Sequence, residues 1–226
     1  LLYLMFAEGK HSLLVILHGI DTSGKDGVVR HLFASANPQG LKVFSFKKPS
    51  AEDLRHDFLW RCHRVVPESG YAAIFNRSYY EEVTTVQVHP DLLKLQDLPD
   101  WVAKDPKIFD KRYEQINDFE KMLSYNGTLV VKFLLDISKT EQQERLSERL
   151  KDRSKNWKFS PDDLKERKFW DQYMKVFKKT VKRTDTIHGR WHVIPSDKKW
   201  RRNYMVTKVL VDALSKLKMQ FPKARR

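Results

Sequence analysis

Short apolar runs alternate along the chain with longer amphipathic segments, the pattern of a parallel sheet covered by helices on both faces. The runs predict five strands, at 13–18, 41–46, 71–75, 128–136 and 190–195. The segments around them predict helices at 1–8, 24–36, 50–65, 107–125, 138–152, 161–184 and 197–218. The stretch 84–106 carries three prolines and is the least regular part. The chain is therefore expected to form one α/β domain over residues 1–226, with about five mostly parallel strands.

A glycine-rich turn, GIDTSGKDG at 19–27, follows the first predicted strand directly. This order of elements, in which a strand is followed by a glycine-rich turn, a lysine and a helix, is typical of phosphate-binding sites. Backbone N–H groups of the turn and the positive end of the helix converge there on the phosphate oxygens. The spacing fits a Walker A loop, although Asp26 stands where Ser or Thr is usual. We predict that Lys25 holds the transferred phosphate and that Gly24, Gly27 and Asp26 belong to the phosphate-binding loop. For Asp26, stabilising the helix dipole is an equally good interpretation.

The same loop carries a second acid, Asp21, beside the lysine. Carboxylate oxygens suit Mg²⁺, so we predict Asp21 to be a catalytic residue and the Mg²⁺ ligand, with Mn²⁺ as an alternative ion. The competing interpretation is a hydrogen bond from the loop backbone to this carboxylate.

Charged residues also follow the second and third predicted strands, whose carboxyl ends meet at the edge where such sheets bind ligands. Lys47 and Lys48 are candidate phosphate contacts or, alternatively, a solvated pair. Arg77 is a candidate catalytic residue, because its planar fork can bind two phosphate oxygens at once. An ion pair with Glu81 or Glu82 is its alternative role.

The segment after the third strand also supplies candidates for the nucleotide. Tyr79 and Tyr80 are predicted to line the nucleoside pocket, although either could belong to the core. Glu81 and Glu82 are candidates for metal or ribose contacts, and Asn76 is expected to contact the nucleotide.

Arginines recur every four residues at positions 145, 149 and 153, along the helix predicted at 138–152 and just past its end. This spacing places Arg145, Arg149 and Arg153 on one helix face, where a row of like charges is unfavourable without an anion. With Lys158 they predict a phosphate-binding lid. Pairing of Arg145 with Glu141, four residues earlier, is the alternative.

The chain has 43 Lys and Arg residues against 29 Asp and Glu, a formal net charge of +14, which favours a polyanionic partner. The single cysteine, Cys62, rules out an internal disulfide and fits a reducing cytoplasm. No apolar run approaches the roughly 20 residues of a membrane helix, so no membrane association is expected.

Five ordered segments resemble motifs of the family-2 polyphosphate kinases, P-loop enzymes that move phosphate between inorganic polyphosphate and nucleotides. They are the loop at 19–27, the Walker B region at 75–83, the lid motif at 157–164, the stretches 48–50 and 57–61, and the segment 111–120. Asn76 with Glu81 and Glu82 resembles the class III subgroup, whose members accept both AMP and ADP. Many relatives carry Asp where this chain has Asn76, so a metal ligand is not expected there.

The resemblance implies a P-loop kinase-like three-layer sandwich with a helical lid at about 138–165. It also implies Mg²⁺-dependent conversion of AMP to ADP and of ADP to ATP, with guanine nucleotides as further candidate substrates, and a homo-oligomer, dimer or tetramer.

Two other functions stay open from the sequence. An ATP-dependent nucleoside or nucleotide kinase would share the loop and the lid, but short phosphate groups need less positive surface. A nucleic-acid-binding module with a degenerate P-loop would fit the charge, but the sequence has no signature of such a module, and no nucleic-acid partner is expected.

Overall fold

The structure, a computed structural model, describes residues 1–34, 36–153, 156–158 and 160–223, without the side chains of Lys158 and Pro161. In this part of the chain five strands form one sheet, in the order β2-β3-β1-β4-β5, and all neighbours are parallel. The strands are β1 (Ser12–His18), β2 (Leu41–Ser45), β3 (Ala72–Asn76), β4 (Thr128–Asp136) and β5 (Gly189–Pro195). The predicted α/β fold with a parallel sheet is confirmed.

Helices connect the strands and cover both faces of the sheet. Over the described residues they are α1 (Leu2–Glu8), α2 (Lys25–Ala34), α3 (Ala51–Leu54), α4 (Trp60–His63), α5 (Thr85–Val88), α6 (Asp100–Ala103), α7 (Ile108–Tyr125), α8 (Lys139–Lys151), α9 (Pro161–Glu166), α10 (Trp170–Thr184) and α11 (Lys199–Ser215). One buried cluster joins the sheet to α7 and α10, and a second joins its other face to α1, α2 and α11. None of the described helices is long and apolar enough to cross a membrane.

Two predicted helices are shorter in the structure than the pattern suggested. The helix expected at 50–65 begins with a capping box between Ser50 and Asp53 but stops at Leu54 and resumes at Trp60. Asp57 accepts a hydrogen bond from Leu59 N at 2.9 Å, and such local bonds compete with a continuous helix.

The helix expected at 161–184 is divided by a tighter 3₁₀ turn at Arg167–Phe169. Arg167 donates there to the carbonyl oxygen of Lys139 at 3.1 Å and to Gln142 Oε1 at 2.7 Å, so the turn is held against α8.

The sheet register brings the predicted site together. Leu17 of β1 lies beside Asn76 of β3 and Phe133 of β4, so the turns after β1 and β3 leave the sheet side by side. The glycine-rich loop between β1 and α2 consequently lies at the carboxyl edge of the sheet, where the sequence predicted it.

Candidate active site

The loop between β1 and α2 is shaped by residues with left-handed backbone angles. Gly19 and Gly24 have φ of 138° and 104°, and Thr22 adopts φ of 65°. A methyl group added at Gly19 would lie 2.7 Å from the carbonyl oxygen of Leu135, so the loop packs too closely on the end of β4 for another residue there. This close packing fixes the loop as a ring at the start of α2.

Lys25 is buried at the centre of this ring and is only 7% exposed. Its ammonium donates to the carbonyl oxygens of Gly19 at 2.6 Å and Ile20 at 3.1 Å. Burial, and next the charge of Arg77, lower the pKa of Lys25 to about 8, while Asp21 opposes the shift. The loop therefore holds a poorly hydrated cation, whose attraction to an anion is strong.

Asp21 and Arg77 form an ion pair at the mouth of the loop. Arg77 follows β3 with φ of 64°, and its backbone N–H donates to the carbonyl oxygen of Leu17 at 3.1 Å, so strained backbone aims the side chain at the loop. Burial alone would raise the pKa of Asp21, but the charges of Arg77, Lys25 and Arg149 hold it below the usual range. The predicted catalytic residues Asp21, Lys25 and Arg77 thus lie together.

Several buried polar atoms in this loop and at the end of β1 have no hydrogen-bond partner among the described residues. They include the hydroxyl oxygens of Thr22 and Ser23 and both ring nitrogens of His18. Burial lowers the pKa of His18 to about 4, so its ring is neutral although Glu81 lies 3.6 Å away. Buried hydroxyls without partners are rare in proteins, and these two suit the oxygen atoms of a phosphate.

Asp26 and Asn76 contact each other at the edge of the loop. Asn76 Nδ2 donates to Asp26 Oδ1 at 2.9 Å, which joins the end of β3 to the first turn of α2. Within the described part of the chain, no group of three or more His, Cys, Asp or Glu residues could hold a metal ion alone.

Glu81 and Glu82 face different environments. Glu81 accepts from Thr85 Oγ1 and lies 3.7 Å from Arg77, so it belongs to the site. Glu82 is buried in an ion pair with Arg112 at 3.1 Å, and both residues line a cavity between the segments 49–61 and 96–115, so its predicted metal or ribose contact stays a prediction.

Tyr79 and Tyr80 lie in the core and, contrary to the prediction, do not line a nucleoside pocket. Both are fully buried, and their hydroxyls donate to Glu120 Oε1 at 2.9 and 2.7 Å. Lys132, from the middle of β4, donates to the other oxygen of Glu120 at 2.5 Å. The two tyrosines therefore satisfy a buried ion pair in the core, and the prediction that they contact the nucleoside is wrong for this structure.

Of the predicted lid arginines, Arg145 is 8% exposed, and each of its three nitrogens donates to a protein oxygen. It donates to the carbonyl oxygens of Thr22, Ser196 and Asp197 at 3.0, 2.7 and 2.9 Å, and it pairs with Glu141 at 2.8 Å. The guanidinium therefore holds the loop backbone in place, and the phosphate contact predicted for it stays a prediction.

The other lid cations differ from Arg145. Arg149 donates to Asp163 Oδ2 at 3.1 Å. The sequence suggested that this row of arginines would need an external anion, but Arg149 has an acidic partner within the protein. Arg149 still faces the site, since its charge lowers the pKa of Asp21. Arg153 is exposed, and the side chain of Lys158 lies outside the described residues.

Lys47 and Lys48 are exposed just beyond β2, on the same edge as the loop. A cavity of about 610 Å³ opens beside them, between the segments 49–61 and 96–115. Its wall includes Phe58, Leu98 and Trp101 together with Arg61 and Arg112. A cavity of this size, with apolar walls and a few cations, can take a nucleotide.

Arg202 is a residue that the sequence interpretation missed. It is 3% exposed, on α11, and lies against Gly24 and Gly27 of the loop. A signal was present in the sequence, because Arg202 occupies one position of the apolar stripe that continues through Val206, Leu210 and Leu214.

Comparisons with known proteins agree with this geometry. The sequence profile of the family described as Polyphosphate kinase 2 (PPK2) matches residues 2–222. The chain is 44% identical over 219 residues, 97% of this chain and 76% of the relative, to the ADP-polyphosphate phosphotransferase of Rhodopseudomonas palustris. It is 43% identical over 219 residues, 97% of this chain and 78% of the relative, to the AMP/ADP-polyphosphate phosphotransferase of Meiothermus ruber. The crystal structure of polyphosphate kinase 2 from Arthrobacter aurescens matches with a TM-score of 0.92 at 41% identity, covering 100% of this chain and 77% of that one.

Proposed function

Because the chain belongs to the polyphosphate kinase 2 family, we propose that it transfers phosphate between inorganic polyphosphate and nucleotides, with AMP and ADP as acceptors. The observation that carries the proposal is the desolvated Lys25 ammonium inside the loop, next to the Asp21–Arg77 pair. A buried cation of this kind is costly in the protein alone and is offset by an anion in the same ring.

Phosphoryl transfer needs alignment and charge neutralisation rather than covalent help from the protein. Lys25 neutralises the transferred group, and the hydroxyls of Thr22 and Ser23 donate to its oxygens. Arg77 binds two oxygens through its fork and leaves Asp21 when it does so. Water is excluded as the lid residues around Arg149 approach, which limits hydrolysis of the donor.

The residues at the loop also fit Mg²⁺, or Mn²⁺, carried in with the phosphates. Mg²⁺ keeps several waters and is usually held by one or two carboxylates plus substrate phosphates. Asp21 supplies one ionised carboxylate at the loop mouth, and this arrangement does not need a cage of three protein ligands. When bound, the ion would neutralise negative charge on the phosphate groups.

The cavity at 49–61 and 96–115 is the proposed site of the acceptor nucleoside. It replaces Tyr79 and Tyr80 in that role, because it adjoins the ends of β2 and β3 and offers exposed aromatic surface. Trp101 is 77% exposed in its wall, so it is available for stacking on a base.

The experiment is a donor panel in which polyphosphate or ATP is offered with Mg²⁺ to AMP, ADP, GMP and GDP, and products are separated by chromatography. We expect ADP and ATP to form from AMP and polyphosphate without added ATP, and Lys25→Met to remove this activity. Turnover with ATP as sole donor and none with polyphosphate would refute the proposal in favour of an ATP-dependent kinase.

The acceptor site is tested with two exposed tryptophans. Trp101→Ala is expected to raise the KM for AMP about tenfold, since stacking of a base on an aromatic ring contributes about 1–3 kcal/mol. Trp200→Ala is the matched control, because Trp200 is 71% exposed on α11 and does not line the cavity. Equal effects of the two substitutions would place the nucleoside elsewhere.

A further inference from the structure

Arg202 is a buried cation that has no ion-pair partner among the described residues. It begins the stripe of α11 that is buried against α2 and the sheet, and it is 3% exposed. Its hydrogen bonds within the described residues go to the neighbouring side chain, with Nε 3.1 Å and Nη2 2.8 Å from Asn203 Oδ1. Its third nitrogen, Nη1, has no partner there.

The other buried arginines of the described chain are treated differently by the fold. Arg112 lies 3.1 Å from Glu82 and Arg145 lies 2.8 Å from Glu141. Leaving a buried charge unpaired is strongly unfavourable, so buried cations normally keep an anionic partner. Among the buried arginines of the described residues, Arg202 departs from this rule, and it does so beside the phosphate loop.

The Arg202 guanidinium lies against the backbone of the loop and the first turn of α2. A methyl group at Gly24 would overlap Nη1, and one at Gly27 would lie 2.8 Å from Nη2. The start of α2 is itself a positive dipole end. Burial, and next the charges of Arg145 and Arg30, lower the pKa of Arg202 to about 10. All these surroundings are positive, so the arrangement favours an anion.

We propose that Arg202 binds a phosphate group of the donor polyphosphate, next to the group that Lys25 holds. This rests on the proposed function, since it presumes a polyphosphate donor. The guanidinium fork and the N–H groups of the first turn of α2 are the donors that phosphate oxygens prefer. A chain of linked phosphates can reach both Lys25 and Arg202 because the two side chains flank the same loop.

The topology separates this position from the acceptor. The cavity proposed for the nucleoside adjoins β2 and β3, whereas Arg202 comes from the helix that follows β5, at the opposite end of the sheet. The loop after β1 lies between them. The donor chain therefore extends from the loop towards β5 and α11, and the acceptor approaches from the side of β2.

The test compares the unmodified chain with Arg202→Met, Arg202→Lys and the matched control Arg201→Met. Arg201 is exposed on the same helix, so its substitution removes one charge without touching the loop. The melting temperature is measured with and without polyphosphate in phosphate-free buffer, and KM is determined for polyphosphate and for AMP.

We expect Arg202→Met to melt no lower than the unmodified chain without polyphosphate, and to lose at least half of the rise that polyphosphate causes. Its KM for polyphosphate should increase about tenfold, as for loss of a charge-assisted hydrogen bond, while the KM for AMP stays within twofold. Arg202→Lys should show a smaller increase of the same kind, and Arg201→Met should behave like the unmodified chain.

An Arg202→Met variant that melts well below the unmodified chain and keeps its KM for polyphosphate would overturn the inference, because Arg202 would then be structural. An equal rise of both KM values would overturn it too. Should Arg202→Met not fold, an unchanged KM for polyphosphate in Arg202→Lys would decide against it. If polyphosphate neither stabilises the unmodified chain nor serves it as a phosphate donor, the proposed function fails together with the inference. If the unmodified chain uses polyphosphate and substitution of Arg202 leaves the KM for polyphosphate unchanged, only the inference is refuted.

Discussion

The pKa of Lys25 gives a quantitative prediction about stability. The folded chain holds this pKa at about 8, against an ordinary value of 10.5, because burial and Arg77 disfavour the ammonium. The unfolded chain therefore binds more protons between these values, so stability must rise with pH through this window. The cost is fully present below pH 8 and is relieved as the pH approaches 10.5.

The size of the effect follows from the shift. One pKa unit corresponds to about 1.4 kcal/mol, so the full cost of keeping Lys25 charged in the folded chain is roughly 3 kcal/mol. Integrating the linkage relation between pH 7 and pH 9.5 gives a gain of about 2 kcal/mol from this one group. Such a gain is a large fraction of the stability of a typical domain.

The assay is urea unfolding of the unmodified chain and of Lys25→Met at both pH values. Met keeps the length of the side chain and removes the titration, so the pH-dependent gain should be about 2 kcal/mol smaller in this variant. The control is Lys216→Met, because Lys216 is exposed directly after α11. This variant should show the same pH-dependent gain in unfolding free energy as the unmodified chain. An equal gain in all three proteins would refute the argument that Lys25 is desolvated in the folded chain.

Three further predictions concern the surroundings of the site. Tyr80→Phe should cost about 1–2 kcal/mol in urea unfolding, since a buried hydrogen bond to Glu120 is lost, and should leave the KM for AMP unchanged; a raised KM in a fully stable variant would restore the nucleoside role. Glu120→Gln should cost about 3–5 kcal/mol because it leaves a buried lysine unpaired, whereas the exposed Glu114→Gln should cost little; equal effects would contradict this. Asn76→Asp places a second carboxylate against Asp26, so its melting temperature should fall without Mg²⁺ and partly recover with millimolar Mg²⁺; an Mg²⁺-independent melting temperature would contradict a metal at this edge.

The fold was predictable because it depends on periodicity within single segments. The apolar run at 128–136 predicts β4 with the bounds that the structure shows, and the glycine spacing predicts the loop that precedes α2. Lys132 interrupts that run in its middle, and its partner Glu120 lies in the preceding helix. The strand pattern gives the position of Lys132 in the sheet, whereas its pairing with Glu120 follows only from the packing of α7 on β4.

The errors came from pairings between distant segments, which no local pattern contains. Arg149 appeared to lack a counterion because Asp163 belongs to the next helix of the lid. The tyrosines after β3 appeared available to a ligand because their partner, Glu120, comes from α7. In both cases the sequence gives the chemical type of the residue, but only the packing of the helices decides which group it contacts.

The features that the sequence could not supply share one physical property: they are unfavourable in the protein alone. Thr22 and Arg77 hold left-handed backbone angles, which cost about 1–3 kcal/mol each, and Lys25 and Arg202 are cations removed from water. A phosphate chain in the loop compensates the cations directly, and its contacts with Arg77 and the Thr22 hydroxyl make the strained geometry useful. Because a ligand that binds only the folded chain stabilises it in proportion to the logarithm of its concentration over Kd, the melting temperature should be most sensitive to polyphosphate in the unmodified chain. Without polyphosphate, variants that remove one of these costs should be more stable than the unmodified chain. With polyphosphate, they should be less stable than the unmodified chain, because they bind the ligand more weakly. This is the behaviour of a site whose residues are arranged for a ligand and not for the stability of the protein alone.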